Sequence, residues 1–330
     1  MPPLPLFPFA PAPFKDMKKY DVIIIGGACA GLSAGLYSSR RALKTLILTK
    51  DIGGQAAITT EIENYPGAGS VAGPQLMLKF REQAERAGAE IILSAVTKIE
   101  KKGKEFIVFT NKEKYGALSL ILAFGLAHRQ LNVPGEKELT GFGVAYCATC
   151  DGPLFRGKTV AVVGGGNSAF DAADYLGELC EKVYMLVRSD KFRADQVLID
   201  SVKARKNVEI LTNVQVKEIV GSKRVEKVIL DNGNELALQG IFIEAGYEPQ
   251  TKFLGDLVKL DERGQIIVDM EAKTSELGIF AAGDVTNIIF KQAVISAGEG
   301  AKAALSAARY VQGAKGIEDK PDWVRRGKRQ

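Results

Sequence analysis

Apolar residues fall along this chain in short unbroken runs, each followed by glycines and then by a stretch rich in alanine and leucine. Tyr20-Asp21-Val22-Ile23-Ile24-Ile25 is the first run. Continuous rather than alternating apolar character fits a strand buried on both faces, as in a parallel sheet. Gly26-Gly27-Ala28-Cys29-Ala30-Gly31 comes next, a helix is predicted to about Arg41, and Thr45 to Leu48 reads as the second strand. The same order returns later. Thr159 to Val163 is a strand, Gly164 to Ala169 a glycine turn, the helix runs to about Cys180, and Val183 to Val187 is the next strand. After each βαβ unit the pattern becomes β-rich. Glu90 to Thr110 predicts strand, turn, strand, turning at Lys101-Lys102-Gly103-Lys104, and Val214 to Leu230 repeats that style around Gly221-Ser222-Lys223. An alanine-rich helix is expected from Ala293 to about Val311.

A glycine turn between a strand and a helix lets phosphate oxygens approach backbone N–H groups at the helix N-terminus. The first turn carries Gly26 and Gly31, but Ala28 stands where a strict GxGxxG has glycine. Its second strand runs into Thr49-Lys50 before the first acid, Asp51. The second turn is a closer match: Gly164-Gly165-Gly166-Asn167-Ser168-Ala169 reads GxGxxA, and Arg188 stands where a ribose-reading residue falls. Two such turns in one chain point to two bound dinucleotides. Near the C-terminus a small-residue strand, Ile279-Phe280-Ala281-Ala282, ends in Gly283-Asp284, where an acid can bond a ribityl hydroxyl.

Composition narrows the class. A chain of 330 residues suggests roughly two domains of about 150 residues. With 46% hydrophobic and 25% charged residues it has the make-up of a soluble globular protein. No apolar run nears the roughly 20 residues that cross a membrane. The formal charge of +5 is concentrated at Arg325, Arg326, Lys328 and Arg329, which read as a solvated end rather than a nucleic-acid site. Pro2, Pro3, Pro5, Pro8, Pro11 and Pro13 break the apolar opening and rule out a helical signal core, so residues 1–16 are expected to be a disordered extension.

Cys147-Ala148-Thr149-Cys150 carries the candidate chemistry, with Asp151 directly after it. In a reducing compartment a CxxC is redox-active or metal-binding. Zinc needs a second pair or histidines. Cys29 and Cys180 are isolated, and His128 is the only histidine, so no metal site is expected and the pair reads as a redox dithiol. Cys29 and Cys180 read as buried small apolar residues, and His128 as structural. With histidine remote in sequence, Asp151 is the expected proton carrier, provided burial raises its pKa.

These motifs together resemble the low-molecular-weight thioredoxin reductases, with the flavoprotein subunit of alkyl hydroperoxide reductase a close second. The resemblance runs from about Met17 to Gly313. It rests on the Gly26 turn, Gly53-Gly54-Gln55, Glu63-Asn64-Tyr65-Pro66-Gly67, Cys147 to Gly152, Gly164 to Ala169, Ala281 to Asp284 and Lys291-Gln292-Ala293. It implies an α/β fold of two Rossmann-like dinucleotide-binding domains, the second inserted into the first. FAD would be held by residues 17–127 and 248–315, NAD(P)H by residues 128–247, which carry the CxxC, and 316–330 would be a basic tail. It implies that Gly26, Ala28, Gly31, Gly54, Gln55, Asn64, Gly283, Asp284, Gln292 and Ala293 bind FAD, with Gly164, Gly166, Asn167, Ser168, Ala169, Arg188 and Arg193 on the nicotinamide cofactor. It further implies that Cys150 faces the flavin, Cys147 attacks the partner disulfide and Asp151 supplies the proton.

Two departures bear on the donor. The family's His-Arg-Arg becomes Val187-Arg188-Ser189, followed by Arg193, so two arginines remain to clamp a 2′-phosphate. Asp151-Gly152-Pro153-Leu154-Phe155 and Gly298 to Ala303 lie closer to the peroxide-system flavoprotein, whose family prefers NADH. NADPH is therefore expected, with NADH possible. The expected activity is electron transfer from NAD(P)H through flavin and the Cys147/Cys150 dithiol to thioredoxin or a similar small dithiol protein. The alternatives are an NADH-dependent donor to a peroxiredoxin-system partner and a non-catalytic flavin redox sensor. The resemblance implies a cytoplasmic homodimer, without nucleic-acid or membrane partners. Both redox groups of the inserted domain must reach one flavin, which implies rotation about Gly125 and about Gly246 with Pro249.

Overall fold

A computed structural model of the protein describes residues 17–59 and 62–317. The proline-rich opening, 1–16, and residues 318–330 of the basic tail lie outside them. The first apolar run forms β1 (Lys18–Ile25), and the glycine turn leads into α1 (Cys29–Arg40) and β2 (Thr45–Thr49). β1 and β2 run parallel, Ile24 beside Ile47. Their continuous apolar character has a physical reason: both faces are covered. Val22, Ile24 and Ile47 pack into a core with α1, while Ile23, Ile25, Leu46 and Leu48 pack into a second core on the opposite face.

Next come α2 (Gly54–Ala57), α3 (Gly73–Arg86) and β3 (Glu90–Leu93), the last parallel to β2. A hairpin follows, β4 (Val96–Lys102) and β5 (Glu105–Thr110), and then β6 (Lys114–Leu122). The stretch expected as one hairpin over 90–110 is thus three strands. The Ser94 N–H bonds the Thr49 carbonyl (2.8 Å) at the end of β3, where the chain leaves the parallel sheet. The turn is also tighter than expected, since Lys102 pairs with Glu105 and leaves Gly103, at φ +62°, and Lys104 as its two residues. β6 is antiparallel to β5 through Lys114–Ala117 and parallel to β1 along its length.

β7 (Ala127–His128) then takes the chain into a second unit. There β8 (Val144–Ala145), α4 (Ala148–Asp151), β9 (Thr159–Val163), α5 (Asn167–Leu179), β10 (Lys182–Val187), α6 (Gln196–Ala204) and β11 (Val208–Thr212) follow in order. The antiparallel β12 (Val216–Val220), β13 (Lys227–Leu230) and β14 (Glu235–Ala237) form a three-stranded sheet. β15 (Gly240–Ile243) completes a five-stranded parallel sheet in the order β11-β10-β9-β15-β8.

β16 (Tyr247–Glu248) pairs with β7, His128 opposite Tyr247, so the chain returns beside its point of exit. β17 (Ile279–Ala281) rejoins the first sheet parallel to β6, Phe280 beside Ile121. α7 (Ala293–Ala314) closes the unit by packing along α1, where a Cβ on Gly300 would lie 2.0 Å from the Ala30 carbonyl oxygen. The fold is α/β with two Rossmann-like units, the second inserted in the chain between β6 and β17.

Candidate active site

The first glycine turn is shaped by close backbone approach. Gly26 has φ +117°, and a Cβ there would sit 2.2 Å from the Ala123 carbonyl oxygen. A Cβ on Gly31, in the first turn of α1, would lie 1.9 Å from the Gly26 carbonyl oxygen. Ala28 is the N-cap and has no side chain to bond the first N–H groups of α1, so these face outward at the helix's positive end. That end opens on a cavity of about 850 Å³. Gly26, Ala28, Gly54, Gln55, Asn64, Asp284, Gln292 and Ala293 all line it. Gly31 and Gly283 do not. They stand behind the wall, and Gly283, at φ +76°, packs on Ala30 and Ser296.

Hydrogen bonds join distant segments into this wall. Asn64 Nδ2 donates to Gln292 Oε1 (3.3 Å). The Ser296 hydroxyl donates to Asp284 Oδ1 (2.9 Å), fixing the acid expected to meet a ribityl hydroxyl. Lys291 Nζ donates to the carbonyls of Asp284 (3.1 Å) and Thr286 (2.6 Å), and burial lowers its pKa. Asp51 Oδ1 accepts the Gly54 N–H (3.0 Å), so the acid just past β2 holds the next loop. Thr49, Lys50, Asp51, Cys29, His128 and Lys291 line the cavity but were not among the expected site residues. For Asp51 the available signal is its place two residues beyond the strand that follows the glycine turn.

The second turn is built alike. Gly164 has φ +152°, and a Cβ there would lie 2.4 Å from the Glu244 carbonyl oxygen and 2.7 Å from the Ala169 methyl, which is why residue 169 is small. Asn167 exchanges two hydrogen bonds with Asp195, at 3.0 and 2.8 Å, and the Arg193 N–H bonds the Gly165 carbonyl (2.7 Å). The loop after β10 is thereby pinned to the turn, with the Arg188, Arg193 and Ser168 side chains exposed beside it. None of these residues lines the cavity.

Cys147 and Cys150 form a disulfide with Cα atoms 5.4 Å apart. Cys147 is the N-cap of α4, and its Sγ accepts the Cys150 N–H (3.2 Å), with the Thr149 hydroxyl at 3.4 Å. A thiolate formed at Cys147 would therefore meet a donor already in place. Cys150 Sγ lies 3.3 Å from the carbonyl oxygen of Ile58, the residue that ends α2. Gln55, Ala56 and Thr59 on either side of Ile58 line the cavity, so the disulfide stands against the outer side of its wall. Burial raises the Asp151 pKa from its ordinary value.

Cys29 and Cys180 are buried free thiols, and burial pushes both up to about 11, consistent with inert apolar packing. His128 is half-buried between the rings of Tyr146 and Tyr247, at centroid distances of 5.6 and 4.7 Å, and burial lowers its pKa. Among the described residues no group of three or more His, Cys, Asp or Glu could hold a metal ion, and no helix is long and apolar enough to cross a membrane.

Residues 20–304 match the pyridine nucleotide-disulphide oxidoreductase family. Thioredoxin reductase of Listeria innocua is 42% identical, over 90% of this chain and 95% of its own. The chain belongs to this family, in its thioredoxin reductase branch. Lactococcus lactis thioredoxin reductase, solved in its FR conformation, superposes with a TM-score of 0.79 at 38% identity, over 89% of this chain and 99% of that one. An alkyl hydroperoxide reductase subunit of Pseudomonas putida is 38% identical, over 87% of this chain but 57% of its own length. Both the fold and the enzyme class expected from the residues hold.

Proposed function

We propose that the protein is a cytoplasmic, homodimeric, FAD-dependent thioredoxin-disulfide reductase. The observation that carries this reading is the Cys147–Cys150 disulfide lying against the cavity wall at Ile58. The balanced reaction is NAD(P)H + H⁺ + partner disulfide → NAD(P)⁺ + partner dithiol.

The cavity suits FAD. Its volume is in the range that holds cofactor-sized ligands. The Gly26 turn gives a pyrophosphate bare N–H groups at the α1 N-terminus, and the one side chain there, Ala28, is a methyl. Asp284, held by Ser296, would accept a ribityl hydroxyl, while Gln55, Asn64, Gln292 and Ala293 would line the ring system. When bound, FAD supplies two-electron chemistry that links a hydride donor to a dithiol. The Gly164 turn would take the nicotinamide cofactor, with Arg188 and Arg193 on its 2′-phosphate, which favours NADPH.

In the thiol steps Cys147, stabilised by the Cys150 N–H, attacks one sulfur of the partner disulfide and forms a mixed disulfide. The departing partner sulfur takes a proton, and Asp151, whose pKa burial raises, is the proposed donor. Cys150 then attacks the Cys147 sulfur, releases the second partner thiol and restores the disulfide. We assign the crossing between the two units to the β7–β16 ladder, so that residues 17–127 and 248–315 hold FAD and residues 128–247 the nicotinamide cofactor and CxxC. A second copy would cover the surface over α1, α3 and α7, where a further cavity of about 570 Å³ is walled by Leu36, Tyr37, Tyr65, Phe80 and Val294.

Anaerobic stopped-flow titration with NADPH and then NADH, followed by flavin absorbance, tests the donor. Bleaching by NADPH at the lower concentration is expected. Bleaching by NADH alone would move the reading to the second candidate, an NADH-dependent donor to a peroxiredoxin-type partner, which the likeness to the alkyl hydroperoxide reductase relative favours. Turnover with thioredoxin then tests the acceptor.

A further inference from the structure

Glu136 lies between β7 and β8, and no step above uses it. It is only 4% exposed. A buried carboxyl group is costly unless its oxygens are bonded, and here three donors meet it. The Leu131 N–H (3.0 Å) and the Tyr146 hydroxyl (2.8 Å) donate to Oε1, and the Asn132 N–H (2.6 Å) donates to Oε2. The donors come from two places that matter. Leu131 and Asn132 follow closely on the β7–β16 ladder, where the Arg129 N–H bonds the Gly246 carbonyl (2.8 Å). The chain bends there through Asn132 at φ +58°, a left-handed conformation that asparagine tolerates. Tyr146 directly precedes Cys147, and its ring lies 5.6 Å from that of His128, which lines the cavity. The turn carrying Glu136 is itself fixed to β12. The Ile219 N–H bonds the Pro134 carbonyl (3.0 Å), and a Cβ on Gly135 would lie 1.8 Å from the Ile219 carbonyl oxygen.

We propose that Glu136 and Tyr146 are positioning residues for the redox pair: the buried carboxyl group ties the chain leaving the β7–β16 ladder to the residue before Cys147, and so holds the Cys147–Cys150 disulfide in place at the Ile58 wall. This rests on the reductase reading given above. The redox helix α4 has only four residues, and β8 before it has two. Elements this short do not hold an orientation by themselves, so the placing of Cys147 depends on what grips its neighbours. Tyr146 supplies that grip, with its hydroxyl on Glu136 and its ring against His128. A misplacement of about 1 Å between reacting groups slows a step by up to about a hundredfold. Tyr146→Phe removes the hydroxyl alone. Both backbone N–H donors stay on Glu136 and the ring stays beside His128, so the fold is kept while the tie is cut.

The test reduces holoenzyme with dithiothreitol without oxygen and follows flavin absorbance by stopped flow. Dithiothreitol gives its electron pair and two protons to the disulfide and closes to a cyclic disulfide. The two cysteines then pass the pair and the protons to the flavin as their S–S bond re-forms. In Tyr146→Phe the limiting rate at saturating dithiothreitol should fall about tenfold. The slope at low dithiothreitol, which reports attack on the disulfide, should stay within about twofold of wild type. Glu136→Gln should fall at least as far, and the double variant should be no slower than Glu136→Gln, because the carboxyl group acts through the phenol. Hydrogen exchange read by mass spectrometry should quicken across α4 and stay unchanged across β9 and α5. A wild-type limiting rate in Tyr146→Phe would overturn the positioning role and leave the reductase reading standing. Slope and limiting rate falling together, with faster exchange across β9 and α5, would mark the hydroxyl as merely structural and overturn it too. A wild-type flavin that dithiothreitol does not bleach would sink both. Neither nicotinamide nor thioredoxin enters the assay, which keeps the two failures apart.

Discussion

In the proposed mechanism Asp151 delivers the proton, since burial raises its pKa and it stands next to Cys150. Asp151→Asn should slow thioredoxin turnover by about a hundredfold while flavin bleaching by NADPH stays at its wild-type rate; normal turnover in that variant would remove the assignment. Lys291 has a different part. It donates to two carbonyls at the cavity wall, so Lys291→Met should leave those acceptors without their donor and reduce the flavin retained per protein after desalting. Glu244 also predicts a stability trend. Its folded pKa, about 7, lies above the ordinary glutamate value of 4.5, so the folded chain holds this proton where the unfolded chain has lost it. The contribution is present in full below the unfolded value and is lost as pH rises through about 7. Relative to wild type, Glu244→Gln should therefore gain thermal stability between pH 5 and pH 7.5, and a constant difference in melting temperature would contradict this. Asp151 and the cysteine pair were legible in the sequence because their chemistry sits within five consecutive residues. Glu244 was not, since nothing in Ile243-Glu244-Ala245 says that its backbone will close over the Gly164 turn.

At the scale of elements, the glycine turns show local sequence and tertiary space agreeing. Gly31 is forced by the Gly26 carbonyl oxygen 1.9 Å from where its Cβ would be, and Gly300 by the Ala30 carbonyl at 2.0 Å. Gly31→Ala should cost about 1–3 kcal/mol in urea unfolding and loosen the proposed FAD site, since the strain falls on the phosphate turn itself. Gly300→Ala should cost a similar amount by pushing α7 off α1, with a smaller effect on bound flavin. The alanines Ala303, Ala304, Ala307 and Ala308 on α7 are all buried, so this helix is small-residued for contact as well as for helix propensity. Strand and helix positions in both βαβ units were legible because runs buried on both faces have no alternation to misread. The segment 90–110 was not, because its two edges pair with different partners, β3 with β2 and β4 with β5, and hydropathy does not record pairing.

For the whole molecule, neither the disulfide nor the Gly164 turn lines the cavity, so the proposed reaction needs the inserted unit to move. Gly125 at φ +64° and Gly246 at φ +93° flank the β7–β16 ladder, and no atom lies within 4 Å of a Cβ at either, so backbone freedom rather than space is what glycine supplies there. A short crosslink between the two units should abolish turnover and leave FAD bound; full turnover in the locked protein would refute the movement. Taken alone, the sequence determined the two glycine turns, the redox pair with its neighbouring acid, and the α/β class. Each of these is written in a few adjacent residues, where spacing along the chain is spacing in space. Only the tertiary structure decided that Asn64 and Gln292, 228 residues apart, share a hydrogen bond, that Cys150 rests on the Ile58 carbonyl, and that the Glu244 carbonyl closes over Gly164. Those contacts join segments that sheet pairing and helix packing bring together, and periodicity along a chain fixes which face of a strand is buried without saying what will lie against it.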